Sequence, residues 1–236
     1  MNKYHQEILR EIKKNSGNGT KHSWDGNYLG SDHFHYNLTN VLKRQIAKDF
    51  IKKHKGLSFD EISKLLDHLY KGTSYEEKSI AGIFIEYLPE FRKQIDLNLL
   101  DKWLECLIGW AEVDSTCQSN FVRGEILDRW DQWEPFMEKL SQDSSISKRR
   151  ASLVLLTGAV YKNDDGRLSG LAFGIIDQLK SENDILITKA ISWLLRDLTY
   201  LHKRQVEEYL NKNENTLPKI ALRETRKKLL TGRKNG

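Results

Sequence analysis

Cysteine, proline and long apolar runs are all scarce in this 236-residue chain. Its two cysteines, Cys106 and Cys117, have no CxxC spacing. That excludes a disulfide framework and a thiolate-rich zinc site, and they read as reduced structural residues. Seven histidines are scattered, and only His33 and His35 in SDHFHY stand close together, with nothing nearby to complete a ligand set, so no metal is expected. The longest apolar stretches, such as Ser152 to Val160, are far too short to cross a bilayer, and no membrane partner is expected. MNKYHQEILREIKKN mixes both charge signs and lacks an apolar core with a cleavage site, so it reads as an amphipathic helix and not a signal peptide. A cytoplasmic protein is the expectation. Only Pro89, Pro135 and Pro218 interrupt the chain, each near a plausible helix boundary.

Between these marks, apolar residues recur at three- and four-residue spacing. Leu99, Leu100, Trp103, Leu104, Leu107 and Ile108 form one stripe, and Ile185, Ile187, Ala190, Ile191, Leu194 and Leu195 another. Period-two alternation is nowhere sustained, so the expected class is all-α. The pattern predicts helices over 2–15, 38–54, 58–70, 74–87, 97–111, 119–128, 130–141, 146–161, 168–180, 184–199, 202–212 and 217–230. Short connections make neighbours antiparallel, and hairpins recurring about every forty residues suggest a HEAT-like α–α superhelix, one domain over 1–236 with a concave basic groove. Such a solenoid with capped ends needs no partner, so a monomer is expected. Ser16 to Tyr36, rich in Gly, Ser, Asn and His, reads as a loop or short turns able to lie against a ligand.

The net charge of +5 is unevenly placed. From Leu217 onward, Lys219, Arg223, Arg226, Lys227, Lys228, Arg233 and Lys234 face the single acid Glu224. A basic tail suits a polyanion, since each neutralised phosphate releases counterions; a solvated, frayed helix explains it equally well.

Trp110 and Asp114, in GWAEVD, stand four apart and share a face if one helix runs through both. Alone, a tryptophan at helical spacing is usually core, and an aspartate near a helix end usually a cap. Arg150 in SKRRAS follows Trp110 by 40 residues, and Trp193 in KAISWLLRD follows Arg150 by 43. Both steps match one HEAT-like period, so these positions can project from equivalent edges of successive repeats. Two indoles, a carboxylate and an arginine suit a purine alkylated on a ring nitrogen. Such a base is a cation, which indole faces attract by about 0.5–2 kcal/mol each. A carboxylate near C1′ stabilises the positive sugar left when the base departs, and an arginine grips phosphate bidentately. No metal or organic cofactor is required.

With these residues in place, the sequence resembles the HEAT-repeat alkylpurine DNA glycosylases, also called DNA alkylation repair enzymes. The likeness runs from about Leu99 to Leu230. It rests on GWAEVD, similar to the family's Trp-x-x-Val-Asp, on SKRRASLVLL, and on ITKAISWLLRDL, close to Lys-Ala-Ile-Gly-Trp-x-Leu-Arg-Glu with Ser192 where glycine is usual. The segment Leu217 to Arg223 also resembles the family's closing helix. The resemblance implies excision of N3- and N7-alkylated purines from duplex DNA by hydrolysis of the N-glycosidic bond, the first step of base-excision repair. It implies Trp110 and Trp193 as aromatic walls against the lesion nucleotide, Asp114 as the catalytic carboxylate and Arg150 as a backbone grip. Further DNA contacts are expected from Lys43, Arg44, Lys48, Arg149, Lys189 and Arg223. Two departures stand out. Ala111 replaces a common aspartate, and YNLTNV precedes LKRQIAKDF where a Gly/Pro lead-in is usual. A non-catalytic binder of distorted or branched DNA and a protein-interaction scaffold are the alternatives. Asp114 argues against the first, and the basic balance with two tryptophans against the second.

Overall fold

The computed structural model describes residues 2–19, 30–118 and 120–233. Among them the chain is helical, with no strand and one isolated parallel bridge between Phe34 and Ser74. No described helix is long and apolar enough to cross a membrane. The chain divides into two compact units, Met1–Thr116 and Cys117–Gly236. Cys106 and Cys117 are free thiols.

In the first unit, α1 (Lys3–Lys14) and α2 (Asn40–Lys53) pack together, α3 (Phe59–Tyr70) packs on α1, and both α2 and α3 pack on α4 (Tyr75–Tyr87). A short α5 (Pro89–Lys93), absent from the sequence expectation, begins with proline at its first turn, where the missing N–H costs nothing. Local chemistry sets the starts. Asn2 caps α1 and Thr39 caps α2, while Ser58–Glu61 and Ser74–Glu77 form capping boxes for α3 and α4.

The predicted helix 97–111 is instead two, α6 (Leu97–Glu105) and α7 (Gly109–Cys117). α6 ends at its C-cap Cys106, and Gly109, with φ of +71°, turns the backbone left-handed where α7 begins. Leu100, Trp103, Leu104 and Leu107 are buried, but Ile108 stands exposed at the break. The Tyr70 ring stacks on Trp103 at 5.0 Å, and its hydroxyl meets the Thr116 hydroxyl at 3.1 Å, tying α3 to α6 and α7.

α4 is the buried centre of this unit, with every residue from Tyr75 to Ile85 shielded from solvent. Its Gly82 lies so close to α7 that a methyl group would overlap the Ser115 carbonyl. That contact fixes how near the backbones of α4 and α7 approach.

The second unit alternates more regularly. Its helices are α8 (Trp130–Ser141), α9 (Ile146–Lys162), α10 (Gly166–Leu179), α11 (Ile185–Leu198), α12 (Lys203–Lys212) and α13 (Lys219–Thr231). α11 packs between α9 and α13, while α8 and α10 pack on each other and on α9. These stacked hairpins are the repeat arrangement that the spacing predicted. Ile187, Ala190, Ile191, Leu194, Leu195 and Leu198 give α11 its buried face, whereas Ile185 is exposed at its start.

The predicted helix 119–128 does not form over 120–126, where turns lead into a single 3₁₀ turn at Leu127–Arg129. There the Glu125 carboxylate accepts from the Arg123 backbone N–H at 2.7 Å, and the Asn163 amide donates to the Val122 carbonyl at 3.2 Å. Side chains that bond nearby backbone compete with helix formation. Pro135 also departs from expectation: it lies within α8, on an exposed face where water can serve the freed carbonyl.

Replacing Gly82 with Ala should cost about 1–3 kcal/mol, the range for forcing extra volume into a packed contact. Urea unfolding checks this, and an unchanged midpoint would show that α4 and α7 can separate freely.

Candidate active site

In the first unit the site grows from the start of α7. One helix carries both Trp110 and Asp114, placing them on one face a turn apart. Trp110 is half-buried and packs against Tyr75 and Ala111. Asp114 is 8% exposed, so water screens its charge weakly while one edge stays reachable. Tyr75, at the first turn of α4, is the hub. Burial raises the pKa of its phenol, and the nearby charges of Glu76, Glu112 and Asp114 raise it further.

Lys43 reaches the same hub. It was expected among the DNA contacts, yet only 2% of it is exposed. Its Nζ donates to the Tyr75 hydroxyl at 3.2 Å and lies 4.3 Å from that ring's centroid. Burial lowers its pKa to about 8, against the pull of Glu76 and with help from Arg44. The His35 ring lies 5.0 Å from the Tyr75 ring, and both its nitrogens are buried without a hydrogen-bond partner among the described residues.

Glu112 sits between Trp110 and Asp114 in sequence and is wholly buried. Its carboxylate accepts from the Ser31 hydroxyl at 2.5 Å and the Ile108 N–H at 2.8 Å, and meets His33 Nδ1 at 2.8 Å. Glu76 accepts from the N–H groups of Tyr36 at 2.9 Å and Leu38 at 3.3 Å. The stretch Ser31 to Leu38 is therefore pinned to the first turns of α4 and α7. Of the predicted Ser16–Tyr36 loop, residues 16–19 and 30–36 are described; residues 20–29 lie outside the described residues. Among the described residues no three metal-capable side chains come together.

In the second unit, Trp193 is half-buried on α11. Arg150 on α9 is 4% exposed, and its Nη1 donates to the Leu186 carbonyl at 2.6 Å, a bond between α9 and α11. Arg149 is turned to the protein: it grips Glu182 through two nitrogens, at 2.7 and 3.1 Å, and the carbonyls of Asp143 and Ser144 at 2.7 and 2.8 Å. Arg44 in the first unit bonds Glu86 at 2.8 Å and the Tyr87 hydroxyl at 2.9 Å. Lys48, Lys189 and Arg223 stand exposed. Of seven cations expected on DNA, three thus point to solvent, one is paired while partly exposed, and Lys43, Arg149 and Arg150 hold the protein together.

Tyr75 and Glu112 were not singled out from the sequence, and His35 was weighed there only as a metal ligand. The Ser74–Glu77 capping box marks a helix beginning at Tyr75, but no local pattern says that this helix start meets Trp110.

A base whose folded-state pKa lies below its unfolded value favours folding once it is deprotonated. Stability relative to a Lys43→Met variant should therefore rise with pH from about 8 toward the ordinary lysine value of 10.5. Thermal melts of both proteins across that window test it, and a constant difference would mean that Lys43 keeps its proton.

The sequence matches the pattern of the DNA alkylation repair enzyme family over residues 26–229. No curated protein matches. Among solved structures, one described as a predicted DNA alkylation repair enzyme from Enterococcus faecalis is similar with a TM-score of 0.72 and 16% identity, covering 90% of this chain and 97% of that one. That likeness shows the same helical-repeat fold. With the family pattern spanning most of its length, the chain belongs to the DNA alkylation repair enzyme family.

Proposed function

We propose that the protein is a DNA glycosylase that hydrolyses the N-glycosidic bond of cationic N3- and N7-alkylated purines in duplex DNA, as a cytoplasmic monomer without a cofactor. The observation that carries this reading is the buried Asp114 carboxylate one turn from the half-buried Trp110 indole. A binder of phosphate alone gains nothing from an anion there. A glycosylase does, because charge moves onto the deoxyribose as the base leaves.

The magnitudes rank the parts. Opposite charges about 4 Å apart are worth about 4 kcal/mol at the effective dielectric of a protein site. That is about a thousandfold in rate. An indole face adds about 0.5–2 kcal/mol of cation attraction, so the carboxylate dominates the bond-breaking step, and Trp110 mainly selects and holds the cationic nucleotide. The leaving base is already positive and needs no acid. Asp114 also positions the water that adds to C1′, and the proton that this water sheds passes to solvent or to the carboxylate. Lys48, Lys189 and Arg223 are the cations free to meet backbone phosphates.

Asp114→Asn should slow single-turnover release of 3-methyladenine or 7-methylguanine about a thousandfold while DNA affinity stays or improves. Equal release by both proteins would remove Asp114 from the mechanism. Lys189→Ala should flatten the dependence of log affinity on log salt by about 0.9, the value for one B-DNA phosphate. An unaltered slope would take Lys189 out of the DNA contact.

A further inference from the structure

The two oxygens of the Glu112 carboxylate have different work. Oε2 accepts the Ile108 N–H at 2.8 Å and so serves the start of α7. Oε1 turns to the stretch before α2: it accepts from the Ser31 hydroxyl at 2.5 Å and meets His33 Nδ1 at 2.8 Å. Those partners lie 81 and 79 residues earlier in the chain. A buried acid that only capped its own helix would need the first bond and not the other two.

The turn joined to that stretch is the one that carries Trp110. A Cβ placed on Gly30 would stand 3.4 Å from the Gly109 Cα and 3.9 Å from the Trp110 backbone nitrogen, so the chain there lies directly against the turn. Gly30 has φ of +67°, the left-handed conformation that suits glycine. Ser31, His33 and His35 then alternate toward the helices, while Phe34 and Tyr36 pair with each other, edge to face at 4.8 Å. The third of the inward residues, His35, lies on Tyr75, the ring against which Trp110 packs. One stretch thus touches the tryptophan's backbone at its head and the support of the indole further along, with the Glu112 latch between.

We propose that Glu112 is a positioning residue for the lesion site, latching Ser31 and His33 so that the Gly30–His35 stretch holds the Trp110 indole in the orientation that receives the alkylated nucleotide. This rests on the proposed role of Trp110 in holding that nucleotide. The latch consists of hydrogen bonds to a wholly buried carboxylate, where water does not compete for the donors.

Variants of the stretch test this while leaving α7 itself unaltered, and one readout needs no activity. In ¹⁵N-labelled protein the Trp110 indole resonance is identified by its loss in Trp110→Phe. It should shift in His33→Leu, which removes the donor, and return toward its wild-type position in His33→Asn, whose amide nitrogen can stand where Nδ1 stood. For release from methylated duplex DNA, His33→Leu should lower kcat/KM about tenfold, matching the loss of one hydrogen bond to a charged group, and His33→Asn should recover most of it. Glu112→Gln combined with His33→Leu should cost little more than the worse single change, because both break the same bond. In a Trp110→Ala background His33→Leu should cost nothing further.

An indole resonance unmoved by His33→Leu, or displaced as far by His33→Asn, overturns the proposal. So does an equal cost of His33→Leu with and without the indole. If Glu112→Gln fails to fold, the His33 variants decide alone, since that side chain is 22% exposed and its loss is the milder change. Should wild type release no base, the glycosylase reading falls, and the resonance still judges the latch.

Discussion

Charges removed from water need partners at close range, since an ionised side chain loses several kcal/mol of hydration when buried. In the first unit that requirement organises everything around α4. Glu76, Glu77, Lys78, Lys43 and Glu112 are all nearly inaccessible, and each is met. Glu76 takes two backbone N–H groups of the Ser31–Leu38 stretch, Glu77 takes Ser74 and His5, and Lys78 donates to the carbonyls of Tyr70 and Gly72 at 2.7 and 2.8 Å. Apolar packing alone would let these helices slide. The buried polar bonds set the register in which the α4 start, the α7 start and the intervening stretch meet, and that register places Tyr75 beneath Trp110.

The second unit meets the same requirement, with arginines answering backbone carbonyls. Arg149 serves the turn between α8 and α9, and Arg150 serves α11. A basic chain thus spends part of its positive charge inside itself. The exposed remainder, including Lys48, Lys189 and Arg223, is what a polyanion meets. Counting cations overstates the binding face, because burial separates those that hold helices from those that meet phosphate.

Much of this was legible in advance. The three- and four-residue stripes located most helices, and the spacing from Arg150 to Trp193 corresponds to one step from α9 to α11. What escaped the reading was decided by single residues or by tertiary contact. The apolar stripe across Leu99 to Ile108 runs past the end of α6 at Glu105, and Gly109, just beyond it, turns the backbone left-handed. The stretch 119–128 has helical composition, but Glu125 and Asn163 offer its backbone better partners. Lys43 on the pattern LKRQIAKDF looks no different from Lys48, and only the tyrosine arriving from α4 draws it inward. Trp110 and Asp114 were legible because they share one helix. Tyr75, His35 and Glu112 were not, because their association depends on packing between segments far apart in sequence.

Ser192, where the family usually has glycine, bonds the Glu224 carboxylate at 2.7 Å and accepts from Arg196, so it joins α11 to α13. Arg196 on α11 donates to both of them, so serine, acid and arginine form one three-membered clasp between the two helices. Its redundancy is the consequence: with either the serine or the acid altered, the arginine still has one of the two to meet, and the seam between α11 and α13 tolerates a single change there.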